Sequence, residues 1–446
     1  MTPRSSRGLI VAAPASGSGK TLFTLALLRQ LKNLAVGVVS AKVGPDYIDP
    51  AFHAKASGQP CLNLDTWAMR PATLVHALEG LSRASDLIVA EGVMGLFDGA
   101  ATETDEYDGS TASLARLTGW PVILIVDARA QAGSAAAVVR GFSDHDPDVD
   151  VAGVIFNRVG SGQHEKILRQ ACTKHVPHIP VLGCLSRRDS LVLPERHLGL
   201  VQAGEHDSLE SFLQGAANWI DEHVDISALM GLARVRNVIE VPDAPVLIKP
   251  FGQRIAVARD QAFSFCYSAI VQGWRDCGAD ILTFSPLNGE GPDGSADAVY
   301  LPGGYPELHA GRLASNGFVE QLRKAAAGAI PIFGECGGFM VLGKCLTDGE
   351  GAQHEMAGLL AVETSFADRK LHLGYRQMRT LARSPLGPAG QGFRGHEFHY
   401  ASVTTPGEDS ALFQICNAGG EGLGAAGLVR GNVAGSFMHL IDACAD

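Results

Sequence analysis

The sequence is short of the features that mark several classes of protein. Basic charge is in deficit: 36 lysines and arginines stand against 47 aspartates and glutamates, a formal charge of −11. A nucleic-acid binder would show the opposite footprint. An anionic ligand must then be met by local Lys and Arg and not by the overall field. No two cysteines are spaced Cys-x-x-Cys, and the nine are odd in number, which fits inert thiols in a reducing compartment better than a disulfide framework. No apolar run approaches the ~20 residues that cross a bilayer, and the first apolar strand begins too early to leave room for a secretory leader. The expectation is a cytoplasmic protein with neither membrane nor nucleic-acid partners. Aromatic residues are only 7% of the chain, but hydrophobic ones make up 46% and charged ones 19%, a globular balance. At 446 residues the chain is too long for one core, so two to three domains are expected.

Glycine is what the chain has in quantity, 53 residues, which points to many tight turns after strands. The organising stretch is AAPASGSGKT (12–21), which follows the apolar Leu9-Ile10-Val11 and precedes the apolar-periodic segment Leu22–Leu31. Strand, glycine-rich turn and helix start are the parts of a phosphate-binding loop. Backbone N–H groups of Gly17, Ser18 and Gly19 would face an anion, and the helix N-terminus adds its positive dipole end. Lys20 would reach the terminal phosphates, and the Thr21 hydroxyl would ligate Mg²⁺. The pattern departs from the usual loop at its first glycine, whose place is taken by Pro14.

Apolar strands then alternate with helical patterns: 36–40, 86–90, 121–126, 151–156 and 180–184, separated by segments such as 70–83, 110–118 and 133–142. That alternation predicts a doubly wound parallel sheet with ligands at the carboxyl ends of its strands. Carboxylates just past strand ends beside a phosphate loop hold Mg²⁺, which selects Glu91, in EGVMGLFDG (91–99), and Asp46 and Asp49, in KVGPDYIDPAFH (42–53). The competing use of each is a solvated loop charge or a helix cap. Asp46 and Glu91 join Thr21 as the metal set; Asp49 and Lys42 are assigned to phosphate or a substrate carboxylate. Asn157 ends the strand GVIFN, where a paired donor and acceptor would read adenine; turn capping is the rival use. Arg187, Arg188 and Arg196, the last in LPERHLGLV (193–201) with His197, cluster guanidiniums suited to several carboxylates, or else decorate a solvated loop. Helical periodicity resumes over 207–234, and the three prolines of 237–253 break it. A nucleotide-binding domain over 1–236, a linker over 237–253 and a second domain over 254–446 follow.

The second domain opens on another α/β unit at 254–258. AVYLPGGYPEL (298–308) is a strand meeting a Gly-Gly turn. IPIFGECGGFMVLG (330–343) reads as strand, sharp turn and helix start with Cys336 at the apex. Small flanking residues permit the strained turn of a nucleophile elbow, and the helix N-terminus favours thiolate. N–H groups of Gly337, Gly303 and Gly304 would hold an oxyanion and a bound glutamine. A cysteine buried for packing is the ordinary alternative, suited to Cys277 and Cys345 better than to this elbow. A base is required: His439, in GSFMHLI (435–441), is preferred, with His396 and His399 of GHEFHY (395–400) as rivals.

Taken together, GSGKT, KVGPDYIDPAFH, EGVMGLFDG, LPERHLGLV, LPGGYPEL, GECGGFMVLG, GHEFHY and SFMHLI closely resemble the a,c-diamide synthases of cobalamin biosynthesis over essentially the whole chain. The first half is similar to the dethiobiotin synthetase type of phosphate-loop domain. The second is similar to a triad-class glutamine amidotransferase in its cobyrinate/cobyrate variant. The resemblance implies an α/β protein of two doubly wound domains. It implies that Cys336, helped by His439, releases ammonia from L-glutamine, and that ATP·Mg²⁺ at Lys20 and Thr21 activates side-chain carboxylates of a corrin-ring polycarboxylate as acyl phosphates, c before a. An enclosed path from Cys336 to the phosphate site is expected, because ammonium in water is not nucleophilic and acyl phosphate hydrolyses. Triad enzymes often carry Glu two residues after the histidine. Position 441 is Ile and Asp442 lies one residue too far, so a Cys–His dyad is expected, with Glu397 or a backbone carbonyl orienting His439. Two readings from other classes compete. A ParA-like ATPase switch would carry an extra lysine where this chain has Ala15-Ser16, and a cysteine hydrolase of the DJ-1/PfpI kind leaves the nucleotide domain idle. Metal-free hydrogenobyrinic acid is preferred as the ring over cobalt-bearing cobyrinic acid. The oligomeric state is not set by the sequence, and a homodimer stays open.

Overall fold

The computed structural model describes residues 6–102, 107–188, 190–191, 195–196, 199–206, 208–237, 248–405 and 408–444. The chain divides into two compact units, Met1–Trp67 with Leu74–Asp243 and Ala68–Thr73 with Ala244–Asp446. The short segment Ala68–Thr73 thus belongs with the C-terminal unit, which its sequence did not announce. Of the expected linker over 237–253, only Asn237 and residues from Ile248 onward are described.

The first unit is built on β1 (Arg7–Ala12), β2 (Val38–Val43), β3 (Cys61–Leu64), β4 (Leu87–Glu91), β5 (Val122–Asp127), β6 (Val151–Val159) and β7 (Val181–Ser186). They form a parallel sheet in the order β3-β2-β4-β1-β5-β6-β7. The short strands β8 (Glu195–Arg196) and β9 (Gly199–Leu200) pair with each other, and β10 (Arg234–Val235) pairs antiparallel with the start of β1. Leu9, Ile10, Val11 and Ala12 of the central β1 are wholly buried, as expected of strands covered on both faces, whose sequences read as continuous apolar runs and not as alternation. The strands run one to three residues beyond the expected ends. Lys42 and Glu91 therefore lie inside β2 and β4, and Asn157 precedes the end of β6 by two residues.

The second unit contains β11 (Arg254–Ala258), β12 (Asp280–Phe284), β13 (Ala298–Leu301), β14 (Ile332–Glu335), β15 (Cys345–Thr347), β16 (Gln353–Glu355), β17 (Glu363–Ser365), β18 (His372–Thr380), β19 (Gly392–His399), β20 (Ser402–Thr405), β21 (Ser410–Cys416), β22 (Gly422–Arg430), β23 (Val433–Ser436) and β24 (Met438–Ala443). The large sheet has the order β12-β11-β13-β14-β23-β22-β21-β18-β19-β24. Its first part, through β23, is parallel, and the rest is antiparallel. The stretch GSFMHLI, Gly435–Ile441, spans two strands: β23 runs beside the elbow strand β14, the chain breaks at Phe437, and β24 returns at the far end of the order. The sheet curls so that this far edge meets β14 again: the Leu440 N–H donates to Glu335 Oε1 at 3.1 Å. Among the described residues no helix is long and apolar enough to cross a membrane.

Candidate functional site

In the first unit the loop after β1 leads into a helix at Lys20–Asn33, with Gly17 at φ 74° and Gly19 at φ 99°. Gly19 is required twice over: for that left-handed conformation, and because an added Cβ would lie 2.2 Å from Asn157 Nδ2. Asn157 and Arg158 brace the loop from behind. Asn157 Nδ2 donates to the Ser18 carbonyl at 2.9 Å, and the Arg158 guanidinium donates to the Gly17 carbonyl and to Asp127. The Ser18 hydroxyl closes the turn on the Ala15 carbonyl. The Asn157 amide oxygen accepts from the Arg158 N–H. One donor of that amide is therefore engaged in loop support, a duty the base-reading expectation did not include.

Opposite the loop lies a cluster of charges at the ends of β2 and β4. Lys42 Nζ donates to Asp49 Oδ2 at 2.6 Å and to Glu91 Oε1 at 2.9 Å, and the Thr21 hydroxyl donates to Glu91 Oε1 at 2.6 Å. Asp49 Oδ2 stands 3.4 Å from the Thr21 hydroxyl. Asp46 stands apart: its Oδ1 accepts the N–H groups of Ile48 and Asp49, so it caps the helix Asp49–Ser57, and its Oδ2 is 4.0 Å from Lys42. Asp49, and not Asp46, thus shares the focus of Thr21 and Glu91. Burial alone would neutralise Lys42, but Asp49, Glu91 and Asp46 outweigh it and hold the ammonium charged. Glu91 is equally buried, yet Lys42 and the hydrogen bond from His53 keep it well below the usual carboxylate range. Burial, then the charge of Asp46, raises Asp49 to about 6. Burial, with Lys42 beside it, lowers Lys20 to about 8, and its Nζ donates to the Met94 carbonyl. The Thr21 hydroxyl and the Asp49 and Glu91 carboxylates offer the hard oxygen donors that suit Mg²⁺.

These groups line a cavity of about 790 Å³ that also takes in Asn157, Arg187 and Arg188. Both arginines are exposed, and Arg188 pairs with Glu222. Arg196 lies in β8, and its side chain is outside the described ones, as is His197. Sequence reasoning missed His53, whose Nε2 meets Glu91 Oε2 at 2.6 Å, and Trp219, which lines the cavity. His53 was within reach, because it lies four residues after Asp49 on the same helix face.

In the second unit β14 ends in the elbow. Cys336 sits at φ 46°, ψ −101°, ahead of the helix Gly337–Leu342, a left-handed backbone that a non-glycine residue keeps only when its surroundings impose it. The surroundings here are glycines: a Cβ on Gly338 would strike the Leu301 carbonyl, and one on Gly337 would meet Pro306 and the Gly304 N–H. His439 comes to the same place. A Cβ on Gly303 would lie 2.5 Å from His439 Cε1 and 3.3 Å from Cys336 Cβ, so His439, Cys336 and the Gly-Gly turn are packed together. His399 is held elsewhere, with Nδ1 on the Ala401 carbonyl and Nε2 on Glu397. His396 lies opposite His439 in the β19–β24 ladder and stacks on it, centroids 4.8 Å apart; its Nε2 meets the Tyr267 hydroxyl.

The electrostatics revise the thiolate expectation. Burial pushes the Cys336 thiol up, the charge of Glu307 adds to it, and the Gly337 N–H, which lowers it, does not compensate. Burial likewise holds His439 well below its ordinary value, with His396 and His399 contributing. Thiol and imidazole are therefore both neutral at rest. Asp442 is unavailable to orient His439, because its carboxylate accepts from the Arg70 N–H, Nε and Nη2 and from the Thr73 hydroxyl. Glu397 is bound by Arg376 and His399. His372, Glu397 and His399 bring potential metal-binding atoms within 4.8 Å of one another. The rings of His372 and His399 stack parallel at 8°, however, which sends their lone pairs side by side and not to one point.

A phosphate loop with a lysine–carboxylate cluster in one unit and a cysteine elbow with its histidine in the other define the class of ATP-dependent amide-forming enzymes that draw nitrogen from glutamine. Residues 9–201 match the family model of the CobQ/CobB/MinD/ParA nucleotide binding domain, and residues 254–444 that of the CobB/CobQ-like glutamine amidotransferase domain. The chain is 53% identical over 444 residues to hydrogenobyrinate a,c-diamide synthase of Brucella anthropi, covering 99% of each chain. It is 50% identical over 437 residues to that of Sinorhizobium sp and 48% over 436 residues to that of Rhodobacter capsulatus, with 98% of each chain covered in both cases. The chain belongs to the hydrogenobyrinate a,c-diamide synthase family.

Proposed function

We propose that this chain converts the a and c side-chain carboxylates of metal-free hydrogenobyrinic acid to amides, using ATP and L-glutamine. The observation that carries the reading is the meeting of Cys336 and His439 across Gly303, in a chain whose other unit holds the phosphate loop. The names of the relatives support the metal-free ring over the cobalt-bearing one.

Cys336 Sγ attacks the side-chain amide carbon of glutamine while its proton passes to His439. The developing oxyanion is met by the Gly337 N–H and by those of Gly303 and Gly304. Collapse expels ammonia, which takes the proton from His439, and leaves a thioester that water, deprotonated by the same imidazole, clears as glutamate. In the nucleotide unit Gly17, Ser18 and Gly19 wrap the phosphates and Lys20 neutralises the terminal ones. The amide positions of Asn157 not engaged by the loop are those left for a base edge. Thr21, Asp49 and Glu91 fit Mg²⁺, which when bound supplies charge neutralisation at the transferred phosphoryl group. Lys42 would bind a substrate carboxylate, with Arg187, Arg188 and Arg196 as further carboxylate partners. The carboxylate attacks the terminal phosphorus, ADP leaves, and ammonia displaces phosphate from the acyl phosphate.

The test is Cys336→Ser with two nitrogen sources. Amidation driven by glutamine is expected to be lost and amidation from ammonium chloride retained; equal loss with both would overturn the division of labour.

A further inference from the structure

The dyad lacks the acid that usually follows the histidine, and the two nearby acids that the sequence offered, Asp442 and Glu397, are bound elsewhere. Glu335 is another acid beside the elbow, and sequence reasoning passed over it because it precedes the cysteine. It is 2% exposed, at the end of the otherwise apolar β14. Its Oε2 accepts from the Tyr300 hydroxyl at 2.8 Å and its Oε1 from the Leu440 N–H at 3.1 Å. The second bond is the informative one. β24 ends the order of the large sheet, so among the described residues one of its edges has no ladder partner, and Leu440 immediately follows His439. A single carboxyl, covalently next to the nucleophile, thus takes up the backbone of the residue next to the base. Nucleophile and base belong to strands six places apart in the sheet order, and this bond joins those strands directly.

We infer that Glu335 is the positioning residue of the dyad, fixing β24 against β14 so that the His439 imidazole faces Cys336 Sγ. The inference rests on the Cys336–His439 reading. Glu335 acts through the shape of its two hydrogen bonds and not through charge. Burial raises it to about 8, against the hydrogen bonds from Tyr300 and Leu440, so at neutral pH it is mostly the neutral acid, for which glutamine is an isostere.

Steady-state glutaminase assays on the full chain test this. Glu335→Ala is expected to lower kcat for glutamine hydrolysis ~10–100-fold, the range that a misplacement of about 1 Å produces, with KM for glutamine and ammonium-driven amidation near wild type. Glu335→Gln is expected to stay within about threefold of wild type, because its amide oxygen accepts from Leu440 and its NH₂ donates to Tyr300. Tyr300→Phe, which removes one bond and keeps the ring, is expected to fall between them and covers the case that the alanine variant does not fold. The pH profile of Cys336 alkylation by iodoacetamide is expected to match wild type in Glu335→Gln. In Glu335→Ala, or failing that Tyr300→Phe, it is expected to move toward that of His439→Ala. Wild-type kcat in both Glu335→Ala and Tyr300→Phe would overturn the inference, as would an unmoved alkylation profile or a Glu335→Gln as impaired as alanine. Full glutaminase activity in Cys336→Ser or His439→Ala would instead overturn the dyad on which it rests.

Discussion

Gly303→Ala probes the elbow pocket with one methyl group. Gly303 is not among the residues with positive φ, so alanine meets no backbone penalty and its effect is steric. The added Cβ would lie 2.5 Å from His439 Cε1, where carbon atoms in contact stand about 3.5–4.0 Å apart. The imidazole must therefore retreat by about 1 Å. It has little room to do so, because it is fully buried and stacked on His396. Misplacement on that scale costs ~10²-fold in rate, and overpacking costs about 1–3 kcal/mol of stability. Glutamine hydrolysis and glutamine-driven amidation are expected to fall by about two orders of magnitude, while amidation from ammonium chloride stays near wild type. Gly294→Ala, where the added Cβ meets nothing within 4 Å, serves as control. A folded Gly303→Ala protein with wild-type glutaminase kcat would refute the placement of His439 beside Cys336.

Lys20→Ala is expected to abolish amidation from either nitrogen source while weak glutaminase activity persists; amidation surviving from ammonia alone would contradict its phosphate role. Asp49→Asn is expected to raise the Mg²⁺ concentration needed for half-maximal ATP turnover more than tenfold, as removal of a metal ligand should, and Asp46→Asn to act mainly on helix stability by about 1 kcal/mol; the reverse order would restore Asp46 as ligand. Asp442→Ala removes the buried acceptor of three Arg70 N–H groups and of the Thr73 hydroxyl and is expected to cost about 1–3 kcal/mol, read as a fall in Tm. Glu335 gives a pH signature. Folded, burial raises it to about 8, against about 4.3 in an unfolded chain. Between those values the folded protein holds a proton that the unfolded chain has released. Its stabilising contribution is thus complete below about pH 4 and is lost as the pH rises through about 8. The Tm of Glu335→Gln is expected to gain on wild type between about pH 4 and about pH 8; a constant difference would contradict the shift.

What was legible in the sequence was what short stretches of backbone dictate. GSGKT specified a loop whose glycines need left-handed geometry, and GECGG specified an elbow, because those turns admit few residue types. Continuous apolar runs located the parallel strands to within a few residues. What was not legible depends on pairings between distant segments. Nothing local tells that Asp46 caps the helix that begins at Asp49, leaving Asp49 to face Thr21. Nothing local announces that the chain breaks at Phe437, so that β24 closes a curled sheet and brings Leu440 to Glu335. The thiolate expectation failed for a related reason. A helix N-terminus is visible in sequence, but the depth of burial that overrides it at Cys336 is a property of the packed domain.

The central claim is that nitrogen freed at Cys336 becomes the amide nitrogen of the ring at the expense of ATP. Wild-type protein incubated with hydrogenobyrinic acid, ATP·Mg²⁺ and glutamine labelled with ¹⁵N only in its side-chain amide, followed by mass spectrometry with ADP quantified in parallel, tests it directly. The account predicts a product carrying two ¹⁵N-labelled amides, with one ADP formed per amide. An unlabelled product, or labelled amides formed without ADP, would contradict it.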